Sequence, residues 1–374
     1  MPGLIAHEWI EPFGGSENVL EAIAAEFPDA PILTPWTNAP ERFPGRDVRE
    51  LWLARSPLRG RKALAMPALA AAWRTAIDPR ERLDWVLASS HSFAHHLKPR
   101  GLSRDAPKLV YAYTPARYLW TPELDERGSG LAARLGGRML RPLDRRRAAE
   151  ATAVAGISEF VAKRIAETWE RDASVIYPPV EVTRLRSVPD WRAALDGDES
   201  GVLDSLPDQF VLGASRFIPY KRLDLVIEAG EAVGLPVVIA GAGPEEARLR
   251  ARADAASVPV TFVIAPSDAL LYALYQAASV FVFPPVEDFG IMPIEAMALG
   301  TPVAANRVGG SAETVAEGVS GMHFGAGDKA SLAEAVRMAI DLPRAPIADW
   351  TTRFSRERFG EELRAWVTAN TMVG

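Results

Sequence analysis

Two glutamates, Glu287 and Glu295, flank Phe-Gly in "VEDFGIMPIEAMALG", which runs from Val286 to Gly300. A helix start between them would favour phosphate, because its first N–H groups are unpaired and its dipole is positive there. Two carboxylates framing such a site would repel an anion unless they bind hydroxyl groups. The combination points to a phosphorylated sugar. Arg216 and Lys221 lie five apart in "GASRFIPYKRLDLVIEA". They could neutralise a pyrophosphate, Arg as a fork and Lys as a point charge. A pair of solvated surface charges is the plain alternative.

Other candidates are weaker. "GAGPEE", from Gly241 to Glu246, and "PFGGSENVL", with Gly14 and Gly15, are glycine turns before helical stretches. Their backbone N–H groups could approach a phosphate, or they could simply turn tightly. "SSHSFAHHL" places His91 directly after an apolar run, while His95 and His96 read as structural or solvated. "AYTPARYLW" offers Tyr113 and Arg117 in the loop after the next run. The "DGD" at Asp196 to Asp198 has metal-ligand chemistry but sits in an acidic connector with no phosphate loop beside it, so no metal is expected.

These residues need particular elements to hold them. "ASVFVFPP" reads as a buried strand. Pro293 suits a first helical turn, Ala296 to Leu299 are good helix formers, and Gly300 is a natural stop. On one continuous helix, eight residues would turn the second carboxylate roughly 80° from the first. Glu287 is therefore expected in the loop and Glu295 on the helix. The same alternation runs through the chain. "LIAHEW", "APILT", "DWVLASS", "KLVYAYT", "TAVAGIS" and "SVIYPPV" read as one set of strands. "FVLGASR", "PVVIAGAG", "VTFVIA", "VFVFPP" and "PVAANRVGG" read as a second. Helical stretches lie between them, and the acidic segment from Pro189 to Gln209 follows the junction. This predicts an α/β protein of two doubly wound parallel sheets. Ligands in such sheets bind outside the carboxyl ends of strands, and the notable loops all follow strands, three on each domain.

A chain of 374 residues accommodates two domains. The absence of cysteine excludes disulfides and thiolate metal sites. A net charge of −6 argues against general nucleic-acid binding. No apolar run has membrane-spanning length, and "MPGLIAHEW" lacks the basic lead of a signal peptide, so a cytoplasmic protein is expected. One stretch departs from the acidic balance. Arg127, Arg134, Arg138, Arg141 and Arg145 to Arg147 alternate with Leu and Met. This could be a basic face meeting anionic lipid at the inner face of the cell membrane or a phosphorylated acceptor, or a solvated helix–turn–helix surface.

The sequence resembles a family 4 retaining glycosyltransferase of GT-B fold, two Rossmann-like domains facing a cleft. The most specific element is Glu287-Asp-Phe-Gly290 with Glu295, followed by "AMALGTPVAANRVGGSAETV"; Arg216, Lys221 and "GAGPE" fit in order. "PYKRLDL", "VIYPPV" and "FSRERF" resemble the bacterial branch that transfers mannose or similar sugars in polysaccharide and lipid-linked glycan assembly. The resemblance implies an acceptor-side domain over 1–184, joined by a C-terminal helix over 351–374, and a nucleotide-sugar-binding domain over 185–350. It implies that Glu287 binds sugar hydroxyls, with backbone N–H groups near Phe289, Gly290 and Ile291 holding sugar and phosphate. Glu295 would bind the ribose, Arg216 and Lys221 the pyrophosphate, and Ile264 and Ala265 the base. Gly241 would belong to the donor site, and Gly14 and Gly15 would close on the phosphate. The candidate catalytic residues are Glu287, Arg216, Lys221, His91 and Tyr113, with Tyr113 and Arg117 on the acceptor side. Similar enzymes commonly read Cys-His-Thr-Pro-Met-Arg where this chain reads Ala112-Tyr113-Thr114-Pro115-Ala116-Arg117. A Tyr there can donate a hydrogen bond but cannot become a cation near neutral pH.

The expected reaction moves a hexosyl group from GDP-mannose or a UDP-sugar to a glycan or lipid-linked hydroxyl, without metal or other cofactor. Rival readings are a nucleotide-sugar epimerase or sugar-phosphate synthase, and a catalytically weak glycan-binding or assembly protein. A Rossmann dehydrogenase is disfavoured, because no G-x-G-x-x-G follows the first strand.

Overall fold

The computed structural model describes residues 2–121 and 131–371. The chain divides into two units, Met1–Pro179 with Phe359–Gly374, and Val180–Arg358. The first unit is built on a seven-stranded sheet: β1 (Gly3–His7), β2 (Ile32–Thr34), β3 (Val48–Glu50), β4 (Trp85–Ser90), β5 (Lys108–Ala112), β6 (Ala153–Gly156) and β7 (Ser174–Val175). The second has six strands: β8 (Val211–Ala214), β9 (Val237–Gly241), β10 (Val260–Ile264), β11 (Val280–Phe283), β12 (Val303–Asn306) and β13 (Gly321–Phe324).

The strand orders are β3-β2-β1-β4-β5-β6-β7 and β10-β9-β8-β11-β12-β13, and every strand pair is parallel. Both are the doubly wound sheets that strand–helix alternation predicts. In each the order reverses once, between β1 and β4 and between β8 and β11. Such a switch point leaves a crevice at the carboxyl ends of the two strands, because the helices following them lie on opposite faces.

The strands are apolar runs because both faces are covered by helices. Val211, Val226, Ile227, Val280, Val282, Phe324 and Val336 form part of one core in the second unit. Phe217, fully buried in that core, anchors the loop after β8. Fully burying such a side chain is worth roughly 1.5–3 kcal/mol, so this loop is tied down at its centre.

Two strands escape the sequence pattern. β3, "VRE", is a three-residue charged edge strand, and β13, "GMHF", follows a turn at Gly318 with no long apolar run. The expected strand "PVAANRVGG" stops at Asn306. There the Asn306 amide donates to the Pro284 carbonyl at 2.9 Å and its oxygen accepts from Val308 N–H at 3.0 Å, which turns the chain. The acidic segment after the junction contains a helix at Gly197–Asp204. Its N-cap is Asp196, whose carboxylate accepts from Glu199 N–H at 2.9 Å. The final helix, Arg356–Thr371, sets Phe359 edge-on to Tyr111 at 5.9 Å and pairs Arg364 with Glu26 in the first unit.

Candidate active site

In the second unit the loops after β8 and β11 leave the sheet at its switch point. The β8 loop carries Arg216 and then a short 3-10 turn, Pro219–Lys221. The β11 loop carries Glu287 and leads to the Ile291–Ala298 helix. Lys221 Nζ donates to Glu287 Oε1 at 2.5 Å, with both side chains largely buried. The two residues that sequence spacing could only place in neighbouring loops are therefore in contact. Arg216 is exposed, and its side chain makes no hydrogen bond or ion pair with any described residue. Gly290, with φ 98°, precedes the Ile291–Ala298 helix, and no side chain caps its N-terminus. Such an end presents N–H groups to an anion.

Close backbone packing aims these loops. Gly241, at the end of β9 with φ 135°, has a position where a Cβ would lie 1.9 Å from the Ser215 carbonyl oxygen. Only glycine fits there, and the close approach holds the β8 loop on either side of Arg216. Gly241 is thus accounted for by a backbone contact. Gly310 does the same for the β11 loop. Its Cβ would lie 2.4 Å from Phe289 Cα, and its N–H donates to the Glu287 carbonyl at 2.8 Å. The sequence pattern places Gly309 and Gly310 at the end of the strand "PVAANRVGG", without this role. The glycine pair directly after an apolar run was the available signal. Phe289 itself is buried, with its ring edge-on to Phe354 at 5.7 Å.

Ile264 ends β10 opposite Gly241 and is 42% exposed, an apolar surface at a sheet edge. Ala265 follows with φ 48°, a left-handed conformation that is uncommon outside glycine, and its N–H donates to the Gly241 carbonyl at 3.0 Å. Glu295 lies in the first turns of its helix, half-buried, and its carboxylate has no hydrogen bond or ion pair with a described residue. Burial pushes its carboxyl up to about 7; Asp268 adds to this and Arg184 opposes it. Arg184 also donates to the Tyr272 hydroxyl at 3.3 Å and had no sequence signal beyond its charge.

The first unit's switch point is different. Glu8, directly after β1, is fully buried. Its Oε1 accepts from Ser92 N–H at 3.0 Å and Ala94 N–H at 2.6 Å, which fixes the loop that carries His91. Burial pushes this carboxyl up to about 7 against those N–H contacts. His91 stands at 5.3 Å from the Trp9 ring, 6.0 Å from His7 and 6.1 Å from Tyr113, edge-on to each. Tyr113 Oη lies 2.9 Å from Ser89 Oγ and donates to the Ser16 carbonyl at 3.1 Å. Arg117 opens the short Arg117–Trp120 helix.

Gly14 and Gly15 are exposed at the start of the Gly15–Glu26 helix. That turn already holds an anion: the buried Glu17 carboxylate accepts from Ser16 Oγ at 2.8 Å and Glu11 N–H at 3.3 Å. His95 and His96 donate from Nε2 to Asp144 Oδ1 at 3.0 and 2.9 Å, and the indoles of Trp120 and Trp169 each donate to Oδ2 at 2.8 Å. The ligand atoms of His95, His96 and Asp144 lie within 4.8 Å of one another. Every contact is of hydrogen-bond length, and four donors satisfy the carboxylate. Burial alone would raise Asp144; the histidine contacts outweigh it and hold the carboxyl well below the usual carboxylate range.

Residues 203–364 match the family described as glycosyl transferases group 1. This match covers less than half of the chain. The D-inositol 3-phosphate glycosyltransferase of Mycobacterium avium (strain 104) is 33% identical over 183 residues, covering 46% of this chain and 42% of that protein. The GDP-mannose-dependent alpha-(1-6)-phosphatidylinositol monomannoside mannosyltransferase of Mycobacterium tuberculosis (strain ATCC 25618 / H37Rv) is 31% identical over 229 residues, covering 57% and 56%. The chain thus spans about half the length of these curated relatives. Among solved structures, Anabaena Alr3699/HepE in complex with UDP matches with a TM-score of 0.71 at 18% identity, covering 99% of this chain and all of that one. WaaG, a glycosyltransferase involved in lipopolysaccharide biosynthesis, matches with 0.63 at 17%, again covering 99% of this chain and all of that one. The fold is GT-B.

The matched segment holds Arg216, Lys221, Gly241, Ile264, Ala265, Glu287, Phe289, Gly290, Ile291 and Glu295, all expected on the donor side. His91, Tyr113 and Arg117 lie outside it, in the first unit. The basic stretch lies there too; of its described arginines Arg146 is exposed, and the other three are engaged in the fold. Arg141 donates to the Leu119 carbonyl at 2.9 Å, Arg145 pairs with Glu170 at 2.9 Å, and Arg147 pairs with Glu150 at 2.8 Å. Arg127 lies outside the described residues, as do the side chains of Arg134 and Arg138. Among the described residues, no helix is long and apolar enough to cross a membrane.

Proposed function

We propose that the chain is a retaining hexosyltransferase using a nucleotide-diphosphate sugar. The observation that carries this is the contact between Lys221 and Glu287 at the switch point of the second unit, beside an uncapped helix N-terminus. A cation for phosphate and an acceptor for hydroxyls within one hydrogen bond of each other match the adjacency of the β-phosphate and the sugar. In this reading Arg216 and Lys221 bind the pyrophosphate, and the N–H groups of Phe289 to Ile291 bind phosphate and sugar. Glu287 accepts from sugar hydroxyls and Glu295 from the ribose, while Ile264 and Ala265 lie against the base. The unpartnered Glu295 carboxylate supports the ribose role, since a half-buried acceptor without donors is costly until a ligand supplies them. The donor is GDP-mannose or a UDP-sugar, a choice supported by the GDP-mannose-dependent relative and the UDP-bound neighbour. The acceptor is a glycan or lipid-linked hydroxyl, on the side of the first unit that carries His91, Tyr113 and Arg117.

No carboxylate among the donor-side residues is assigned as nucleophile, so the reading is front-face attack. The bond from the sugar's anomeric carbon to the diphosphate breaks as the acceptor oxygen bonds on the same face. The acceptor proton passes to the leaving phosphate oxygen. The two cations and the helix N-terminus stabilise the charge that develops there. They can do so without metal, and transfer is expected to be undiminished in excess chelator.

The test is a thermal-shift panel of nucleoside diphosphates and nucleotide sugars, followed by product analysis with the best donor. A ligand specific to the folded state raises the melting temperature by mass action. The reading predicts a shift with one nucleoside diphosphate and its sugar, and a product that keeps the anomeric configuration. An inverted product, or the absence of any shift across the panel, contradicts it.

A further inference from the structure

We propose that Tyr113 is a positioning residue that ties the start of the Gly15–Glu26 helix to the ends of β1 and β4 and fixes the proton of His7. The argument is one of donors and acceptors. The Ser16 carbonyl can only accept, so the Tyr113 hydroxyl must donate its single proton there, at 3.1 Å. Burial pushes the phenol well above its ordinary range, so that proton is present at neutral pH. Ser89 Oγ, 2.9 Å from Tyr113 Oη, must then donate to it. Having used its own proton, Ser89 can only accept from His7 Nδ1, at 3.0 Å. The chain therefore runs in one direction, from His7 Nδ1–H through Ser89 and Tyr113 to the Ser16 carbonyl.

The accounting has two consequences. Burial lowers the His7 pKa well below its ordinary value, so the ring is neutral, with its proton on Nδ1 and a bare lone pair on Nε2. That Nε2 is buried and has no hydrogen-bond partner. The other end of the chain holds the first turn of the helix that begins at the exposed Gly14 and Gly15. A histidine at position 113 has a shorter reach than a phenol, so the tyrosine brings a tie that the more common residue would not make in the same way. That the tie matters for transfer rests on the glycosyltransferase reading, and the unchanged diphosphate affinity expected below rests on the Glu17 carboxylate in this turn keeping Gly14 and Gly15 from the donor phosphate.

The experiment compares wild type, Tyr113→Phe and Ser89→Ala. Selective ¹⁵N-histidine NMR reads the His7 tautomer, amide exchange reads residues 16–20, and steady-state kinetics read transfer. In Tyr113→Phe, Ser89 is released to donate to His7 Nδ1. The expected results are a His7 proton moved to Nε2, exchange at the helix start faster by about tenfold, and kcat lower by about tenfold, the loss of one neutral hydrogen bond. Nucleoside-diphosphate affinity, set by the second unit, should not change. In Ser89→Ala the tie from Tyr113 to Ser16 survives, so helix-start exchange should remain as in wild type while the His7 tautomer is no longer held. A wild-type tautomer and wild-type exchange in Tyr113→Phe would overturn the proposal, as would equal loosening of the helix start in Ser89→Ala. If the tautomer and exchange change as expected but wild type transfers no sugar, the positioning stands and the glycosyltransferase reading fails.

Discussion

At the carboxyl edge of the first sheet most polar side chains are tied to buried neighbours, although His7 Nε2 and Glu8 Oε2 have no hydrogen bond with a described residue, whereas at the second sheet only the Lys221–Glu287 pair is closed and Arg216 and Glu295 stay open. At the first edge Glu8 binds two backbone N–H groups and Tyr113 closes a chain from His7 to Ser16; on the Leu131–Ala148 helix of the same unit Asp144 accepts from four donors. At the second edge Arg216 and Glu295 have no partner among the described residues, the Ile291–Ala298 helix has no side-chain cap, and Ile264 is exposed. Both edges occupy the same topological position, a switch point in a doubly wound sheet. The difference teaches that topology supplies the crevice and that the satisfaction of polar groups decides its use. Side chains bound to backbone groups hold the scaffold, while Arg216, Glu295 and the Lys221–Glu287 pair, which make no such backbone ties among the described residues, are the groups assigned to ligand on the proposed reading.

The largest expected effect breaks the scaffold side of this comparison. Asp144→Ala leaves two histidines and two indoles with buried, unpaired N–H groups. It is expected to lower unfolding free energy by roughly 3–5 kcal/mol in urea titration, while any folded fraction binds nucleoside diphosphate as before. A loss below about 1 kcal/mol would show that the cluster is not structural.

A somewhat smaller effect falls on chemistry. Glu287→Gln keeps the shape and removes the charge facing the sugar. Turnover is expected to fall roughly 100- to 1,000-fold, as when one preorganised group at a developing charge is removed. Because Glu287 holds Lys221, freeing the lysine should tighten binding of the free diphosphate rather than weaken it. Weaker diphosphate binding in this variant, measured by calorimetry, would mean that Glu287 meets the nucleotide and not the sugar.

The smallest effects are pH-dependent. Glu295 must be ionised to accept fully from ribose hydroxyls, and its carboxyl is pushed up to about 7. Diphosphate affinity is therefore expected to fall as pH drops through 7, approaching tenfold per unit, and Glu295→Gln should flatten that profile. Stability moves the other way. The folded pKa of Glu295, like that of Glu8, lies above the ordinary carboxyl value, so the protonated form is the one the fold favours. Its contribution is fully present below about 4.5 and is lost as pH rises through 7. Urea titrations of Glu8→Gln across that window should show a shallower decline than wild type; an identical decline would place the Glu8 titration elsewhere.

Much of this was legible in the sequence, for a physical reason. Buried parallel strands must be apolar, and the loops that follow them must carry the chemistry, so "VFVFPP" and "VEDFG" located β11 and Glu287 together. The helix stop at Gly300 was equally readable, since it adopts φ 83° directly after the helix. What escaped depends on tertiary contact. Nothing in "VRE" or "GMHF" signals a strand, because edge strands β3 and β13 are set by the neighbour they pair with. The roles of Gly241 and Gly310 lie in how closely another backbone approaches, which no local pattern encodes. The direction of the Tyr113 chain needed the Ser16 carbonyl, 97 residues away.

The measurement closest to the central claim is calorimetric titration of the best nucleoside diphosphate into wild type, Arg216→Ala, Lys221→Ala and Tyr113→Phe. The second sheet's edge is expected to bind it and the first sheet's edge is not. Arg216→Ala and Lys221→Ala should each lose roughly 1.5–3 kcal/mol, about 10- to 150-fold in Kd, while Tyr113→Phe keeps the wild-type value. Unchanged affinity in both cation variants, or a loss in Tyr113→Phe as large as theirs, would contradict the assignment of the nucleotide to the second unit.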